Sequence, residues 1–252
     1  MPRPKQLNKA EINLQATAQP SEADFSTLLR AESGSMTAWT QEWSPRRVAM
    51  HIAVILVGAG CFGAAMGWWR SPENALYVAI KFPLVLLLTA AGNALLNGML
   101  ASLLGLNITL QQSLLAVLMS FAIVAAILGA FSPLVAFIVW NAPAMTPDVK
   151  ATIPYAFVKM VDVIVIAFAG VAGNVRLFQL LTKLGQGNRR IAQRVLFAWL
   201  AVNLFLGSQL TWIARPFIGN PQLPVAFFRA DAFRGNFYED TFHSIMHLLQ
   251  SL

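Results

Sequence analysis

Between Phe82 and Pro147 the chain contains no aspartate, glutamate, lysine, arginine or histidine. A soluble domain needs charge over its whole surface, so an uncharged run of this length excludes one and belongs in lipid. Charge is scarce elsewhere too. Charged residues make up 12% of the 252-residue chain, about half the share usual in a soluble domain. A single cysteine, Cys61, lies within an apolar stretch. It excludes an intrachain disulfide and any cysteine-held zinc or iron–sulfur centre, and is expected to pack as a small apolar residue. Also missing are a phosphate-cradling glycine loop, a Gly-x-Ser-x-Gly elbow and a zinc-protease motif. The paired Gly/Pro-broken spans of inverted-repeat transporters are absent as well. No catalytic residue and no cofactor is expected, and an enzyme is the least supported class.

What the chain does have is hydrocarbon. Hydrophobic residues are 57% of the composition and the mean hydropathy is +0.59. The net charge of +7 could suggest nucleic acid, but the basic residues flank apolar segments instead of lining one soluble face. The expected partners are therefore anionic membrane lipids and a protein within a membrane complex, with no nucleic acid.

The pattern predicts an all-α polytopic membrane bundle of about five transmembrane helices. A largely disordered N-terminal tail precedes it and a short amphipathic helix follows. Residues 1–45 form the polar tail, with one short helix near Ser21–Ala31 where Ser21 and Asp24 offer a capping box. Residues 46–215 form the bundle, with spans near 48–69, 74–104, 113–140, 152–183 and 191–213. Each is long enough at 1.5 Å per residue to cross ~30 Å of hydrocarbon. Ser132-Pro133 is expected to kink the third span or break its final turns. Gly63-x-x-x-Gly67 in the first span permits close helix approach, expected within one protomer. Residues 216–252 form a Pro-stiffened loop and then an interfacial helix with apolar positions Phe242, Ile245, Met246, Leu248 and Leu249.

Orientation follows from the most basic turn, Lys183 to Arg194. Lysine and arginine are retained on the cytoplasmic side, which places this turn and the N terminus inside and the C terminus outside. Trp39, Trp43, Arg46 and Arg47 suit an interfacial anchor before the first span.

After the fifth span the chain reads Arg215-Pro-Phe217-Ile-Gly-Asn-Pro221, and later Asn236-Phe-Tyr238. Here it resembles a bacterial family of uncharacterised multi-span membrane proteins that share an Arg-Pro-Phe-x-Gly-x-Pro element and a later Asn-Phe-Tyr element. Lys81-Phe-Pro83 and Pro154-Tyr-Ala-Phe are looser matches. Five spans behind a polar tail also resemble the architecture of Yip1-type membrane proteins. The resemblance implies a multi-pass protein of a bacterial inner membrane and brings no activity.

Four groups of residues are candidates for function, and a lone lysine, Lys81, is read beside them as a headgroup contact. Lys159 and Asp162 lie i,i+3 on the fourth span and can pair, or Lys159 can snorkel to the headgroups; an ionisable residue inside a membrane is a functional hypothesis by default. Asn93 and Asn97 share one face of the second span, where they suit hydrogen bonding between helices. Lys81, near the outer end of that span, is expected to snorkel. Arg215, Phe217, Phe228, Arg229 and Tyr238 make an aromatic and arginine-rich segment suited to a partner or a lipid surface. Glu239, His243 and His247 stack at i, i+4, i+8, a weak zinc candidate without a fourth ligand. These residues favour a non-catalytic membrane subunit or scaffold that docks partners through its tail, basic turn and C-terminal hairpin. The alternative is a small transporter or channel subunit using Lys159, Asp162, Asn93 and Asn97.

The topology is directly checkable in a Cys61→Ala background. A cysteine at Gln186 should react only with a reagent on the cytoplasmic side, and one at Gln222 only from outside. Labelling of both from one face would refute the five-span arrangement.

Overall fold

A computed structural model describes residues 44–145, 153–219 and 224–250, excepting the side chains of 243–245 and 247–250. The Ser21–Ala31 helix, the Trp39 and Trp43 anchor, the Pro147–Lys150 loop and Pro221–Gln222 lie outside the described residues. Six helices follow in order: α1 Pro45–Trp68, α2 Pro72–Leu103, α3 Leu110–Asn141, α4 Ile153–Leu184, α5 Arg189–Ala214 and α6 Phe237–Gln250. No strand occurs among the described residues. The first five helices are long and apolar enough to cross a membrane. This is a multi-pass membrane protein.

Local chemistry sets where the helices begin. Ser44 and Ser71 are extended and each precedes a proline, Pro45 and Pro72, at the start of its helix. Proline fits there because its missing N–H would have had no partner anyway. The Ser71 hydroxyl accepts from Asn74 N at 3.1 Å. At α3, Thr109 Oγ1 accepts from Gln112 N at 3.2 Å while Gln112 Oε1 accepts from Thr109 N at 3.0 Å, a reciprocal capping box. Asn188 opens α5 by accepting from Ile191 N at 3.3 Å.

Both interior prolines are absorbed without ending their helices. Pro133 leaves the Gly129 carbonyl without its backbone donor, and Ser132 Oγ supplies one at 2.7 Å. The third span consequently runs on to Asn141, so Pro133 does not break its final turns. A hydroxyl replacing a lost backbone bond is how lipid-embedded helices tolerate proline.

Helix α1 is held by bare backbone. Gly58 lies so close to the Ala125 carbonyl of α3 that any side chain there would collide with it, and a Cβ on Gly129 would fall 2.9 Å from Gly58 Cα. On the other flank, a Cβ on Gly63 would fall 2.6 Å from the Val78 carbonyl of α2. The glycine face of α1 thus packs inside the protomer, where small residues let helix axes approach closely.

The remaining helices arrange around this core. Helix α4 packs on α3 and α5 packs on α2, while α4 and α5 meet each other only sparsely. Within its apolar window α3 is 50% buried by protein and α5 only 11%, so α3 is central and α5 peripheral. Two apolar clusters fill the bundle. One, near the α2–α3 turn, contains Leu106, Met119, Leu181 and Trp199; the other, at the opposite end, contains Phe62, Met66, Trp69 and Val158.

The segment after α5 folds back over that opposite end. Asn74 Nδ2 donates to the Phe217 and Gly67 carbonyls, each at 3.1 Å, and the Phe217 ring meets Phe82 edge-on at 5.9 Å. Lys81 is 2% exposed. It does not snorkel: its Nζ donates to the Ala226 carbonyl at 3.4 Å and sits 5.3 Å from the centre of the Phe227 ring. A stem anchored before Pro83 keeps this lysine beneath the returning loop, which supplies the carbonyl and π-face that water would otherwise provide.

Substituting Gly63→Ala should cost about 1–3 kcal/mol, because the clash is with rigid backbone, and should lower the unfolding temperature in detergent. Gly170→Ala, with nothing within 4 Å of the new methyl, should be neutral or slightly stabilising.

Candidate functional site

Asn93 and Asn97, one turn apart on α2, are 2% and 1% exposed. Asn93 Nδ2 donates to Asn203 Oδ1 on α5 at 2.9 Å, and Trp199 Nε1, a turn before Asn203, donates to the Asn97 backbone carbonyl at 3.2 Å. These two bonds carry much of the polar attachment of α5 to α2. The Asn93 side chain thus joins helices as expected, whereas Asn97 contributes only its backbone carbonyl. The two bonds leave something over: Asn93 Oδ1 and Asn97 Oδ1 are buried and have no hydrogen-bond partner among the described residues. Buried carbonyl oxygens without donors are uncommon because each forfeits its hydration.

The asparagines form one wall of a cleft of about 330 Å³ enclosed by α2, α3, α4 and α5. Ser120 of α3, Asn174 of α4, and Ser208 and Thr211 of α5 bring further polar groups to it. Thr89 Oγ1 and Asn174 Nδ2 are bonded to their own helices, at 2.7 Å to the Val85 carbonyl and 2.8 Å to the Gly170 carbonyl. The rest of the lining is apolar, with Leu86, Val117, Phe121, Val124 and Leu200 among it. No lining residue carries a charge. The cleft can therefore bind and orient a molecule through hydrogen bonds and apolar contact, and it offers no titratable group. Amides are expensive to leave unmatched in an apolar helix bundle, which makes this cluster the candidate site.

Lys159 and Asp162 are not part of it. The buried positions of α4 include Val158, Asp162, Val165, Ala169 and Gly173, so Asp162 lies on the face packed against the bundle. Lys159 is rotated about 100° from Val158 and is exposed. The i,i+3 pair is not formed, and both Asp162 carboxyl oxygens are buried without a hydrogen-bond partner among the described residues. Spacing alone could not reveal this, since it does not report how the helix is rotated against its neighbours.

The C-terminal candidates separate into two sets. Phe217 is an internal contact of the cap. Tyr238 is anchored on α5: its hydroxyl lies 2.7 Å from Ser208 Oγ and its ring stacks on Phe205 at 5.4 Å. Arg215 sits over the Trp212 ring, and Arg229 pairs with Asp231 at 3.2 Å. Phe228 remains 49% exposed. Of the weak zinc candidates, Glu239 accepts from Asn236 Nδ2 at 3.4 Å, while the side chains of His243 and His247 lie outside those described.

Asn174, Trp199, Asn203 and Ser208 escape a reading of the sequence that stops at charges. Their signal is present nonetheless: Trp199, Asn203, Gly207 and Thr211 recur every four residues, one face of α5. Comparison with family models, with curated proteins and with solved structures finds no match for this chain.

Because Asp162 has no partner among the described residues, Asp162→Asn should leave the unfolding temperature in detergent unchanged or higher. A loss approaching the about 3–5 kcal/mol typical of a broken buried ion pair would show that a cation does reach it.

Proposed function

We propose that this protein is a non-catalytic membrane component of transporter type, which takes an uncharged, hydrogen-bond-donating amphiphile from the bilayer into the cleft. The observation that carries this is the pair of buried, unpartnered oxygens on Asn93 and Asn97 in the cleft wall. A hydroxyl or amide N–H delivered there would satisfy acceptors that the protein itself leaves open. The sparse contact between α4 and α5 gives a lateral way in. We place the protein in a bacterial inner membrane with the N terminus and the Lys183–Arg194 turn cytoplasmic, supported by the cationic excess on that side. A second reading, a scaffold that docks a partner protein, is favoured by Phe228 and Phe233, which are 49% and 79% exposed beside Arg229.

Decanol, decanamide and decane serve as probes of the first reading. Decanol and decanamide should raise the unfolding temperature of the full-length protein in detergent, and decane should not. The response should disappear in an Asn93→Leu/Asn97→Leu variant that remains folded by circular dichroism. If the three probes act alike, or the variant responds as the parent does, the cleft is packing and the scaffold reading takes precedence.

A further inference from the structure

A second cavity lies along the α4–α5 seam and has a different character. It is a groove of about 870 Å³ that shares Gly170, Asn174 and Leu200 with the asparagine cleft. From there it runs toward the α4–α5 turn between Val171, Val175 and Phe178 on one side and Leu196 on the other. At its far end stand Lys183 and Arg189. Both are exposed, and no acidic residue occurs in the chain between Asp162 and Asp231, so no nearby carboxylate on α4 or α5 neutralises them. From Gly170 to Lys183 the helix rises about 20 Å, against the ~15 Å of hydrocarbon that one leaflet contributes. The groove is therefore apolar over the depth of a leaflet and cationic where that leaflet's headgroups lie.

We infer that this groove is a binding site for one anionic phospholipid of the leaflet that contains the α4–α5 turn, its headgroup phosphate held by Lys183 and Arg189 and an acyl chain lying between α4 and α5. Charge complementarity selects this occupant. A second copy of the chain would bring the same cationic turn to the same cations, whereas an anionic lipid supplies both the missing charge and the missing apolar surface. Occupancy would also fill the sparse interface between α4 and α5. The inference uses the α4–α5 seam but not the asparagine site, so either can fail without the other.

The test is native mass spectrometry of the full-length protein in detergent micelles, titrated with dioleoylphosphatidylglycerol, dioleoylphosphatidylcholine or inorganic phosphate. Phosphatidylglycerol should bind in preference to phosphatidylcholine, and Lys183→Gln/Arg189→Gln should weaken it roughly thirtyfold, the combined effect expected of two basic side chains at an anionic headgroup. Val175→Trp, which fills the groove, should reduce binding of both lipids, and inorganic phosphate should not displace phosphatidylglycerol. The Asn93→Leu/Asn97→Leu variant should keep the lipid preference, separating this site from the cleft. Equal binding of the two lipids, or undiminished phosphatidylglycerol binding in the double charge variant, would overturn the inference. Displacement by inorganic phosphate would overturn it too, reducing the site to a surface anion contact.

Discussion

The absence of side chains at a few points on α1 underlies the rest of the bundle. Lipid tails are as apolar as leucine, so helices in a bilayer gain little from hiding apolar surface from one another. What holds them is close van der Waals contact, and this requires that backbones come near. Gly58 against the Ala125 carbonyl and Gly129, and Gly63 against the Val78 carbonyl, bring α1 into that range with α3 and α2. These three helices form the dense half of the molecule. Helices α4 and α5 attach to its outer faces, which is why their mutual interface is thin and why both cavities open along it.

Polar groups follow the same division. In the dense half they are matched locally: Ser132 replaces the donor that Pro133 lacks, and Thr109 and Gln112 close the start of α3. At the Trp69 end the returning C-terminal segment matches Asn74 and Lys81, while the indole of Trp69 donates to the Pro143 carbonyl just after α3 at 2.9 Å. Between α2 and α5 they are matched only in part, which leaves acceptors on Asn93 and Asn97 at the candidate site. Buried side-chain atoms without a partner among the described residues also occur on Asp162 and Trp212, but of these only the two asparagines line the cleft.

The architecture was legible because lipid imposes it. Uncharged runs of span length, prolines at helix starts and a concentrated basic turn each have one physical reading, and all five spans appear within a few residues of their expected limits. The α2 asparagines were legible for the same reason, as polar residues one turn apart within an apolar helix. The charged candidates were less so. Whether Asp162 and Lys159 meet depends on rotation of α4 against α3, and the fate of Lys81 depends on a loop far along the chain. Spacing within one helix reports neither. The partner asparagine, Asn203, was hidden by its ordinary surroundings: a single amide in α5 becomes informative only when Asn93 is seen opposite it.

The burial of Lys81 bears on how the molecule is made. The carbonyl that receives its ammonium belongs to Ala226, 145 residues later. During synthesis α2 enters the membrane long before that segment exists, so the nascent helix must hold its lysine against headgroups or water and surrender it only when the chain is nearly complete. Closure of the C-terminal segment over α2 is thus a late maturation step. A chain interrupted before Ala226 leaves uncovered the cation that the finished protein encloses.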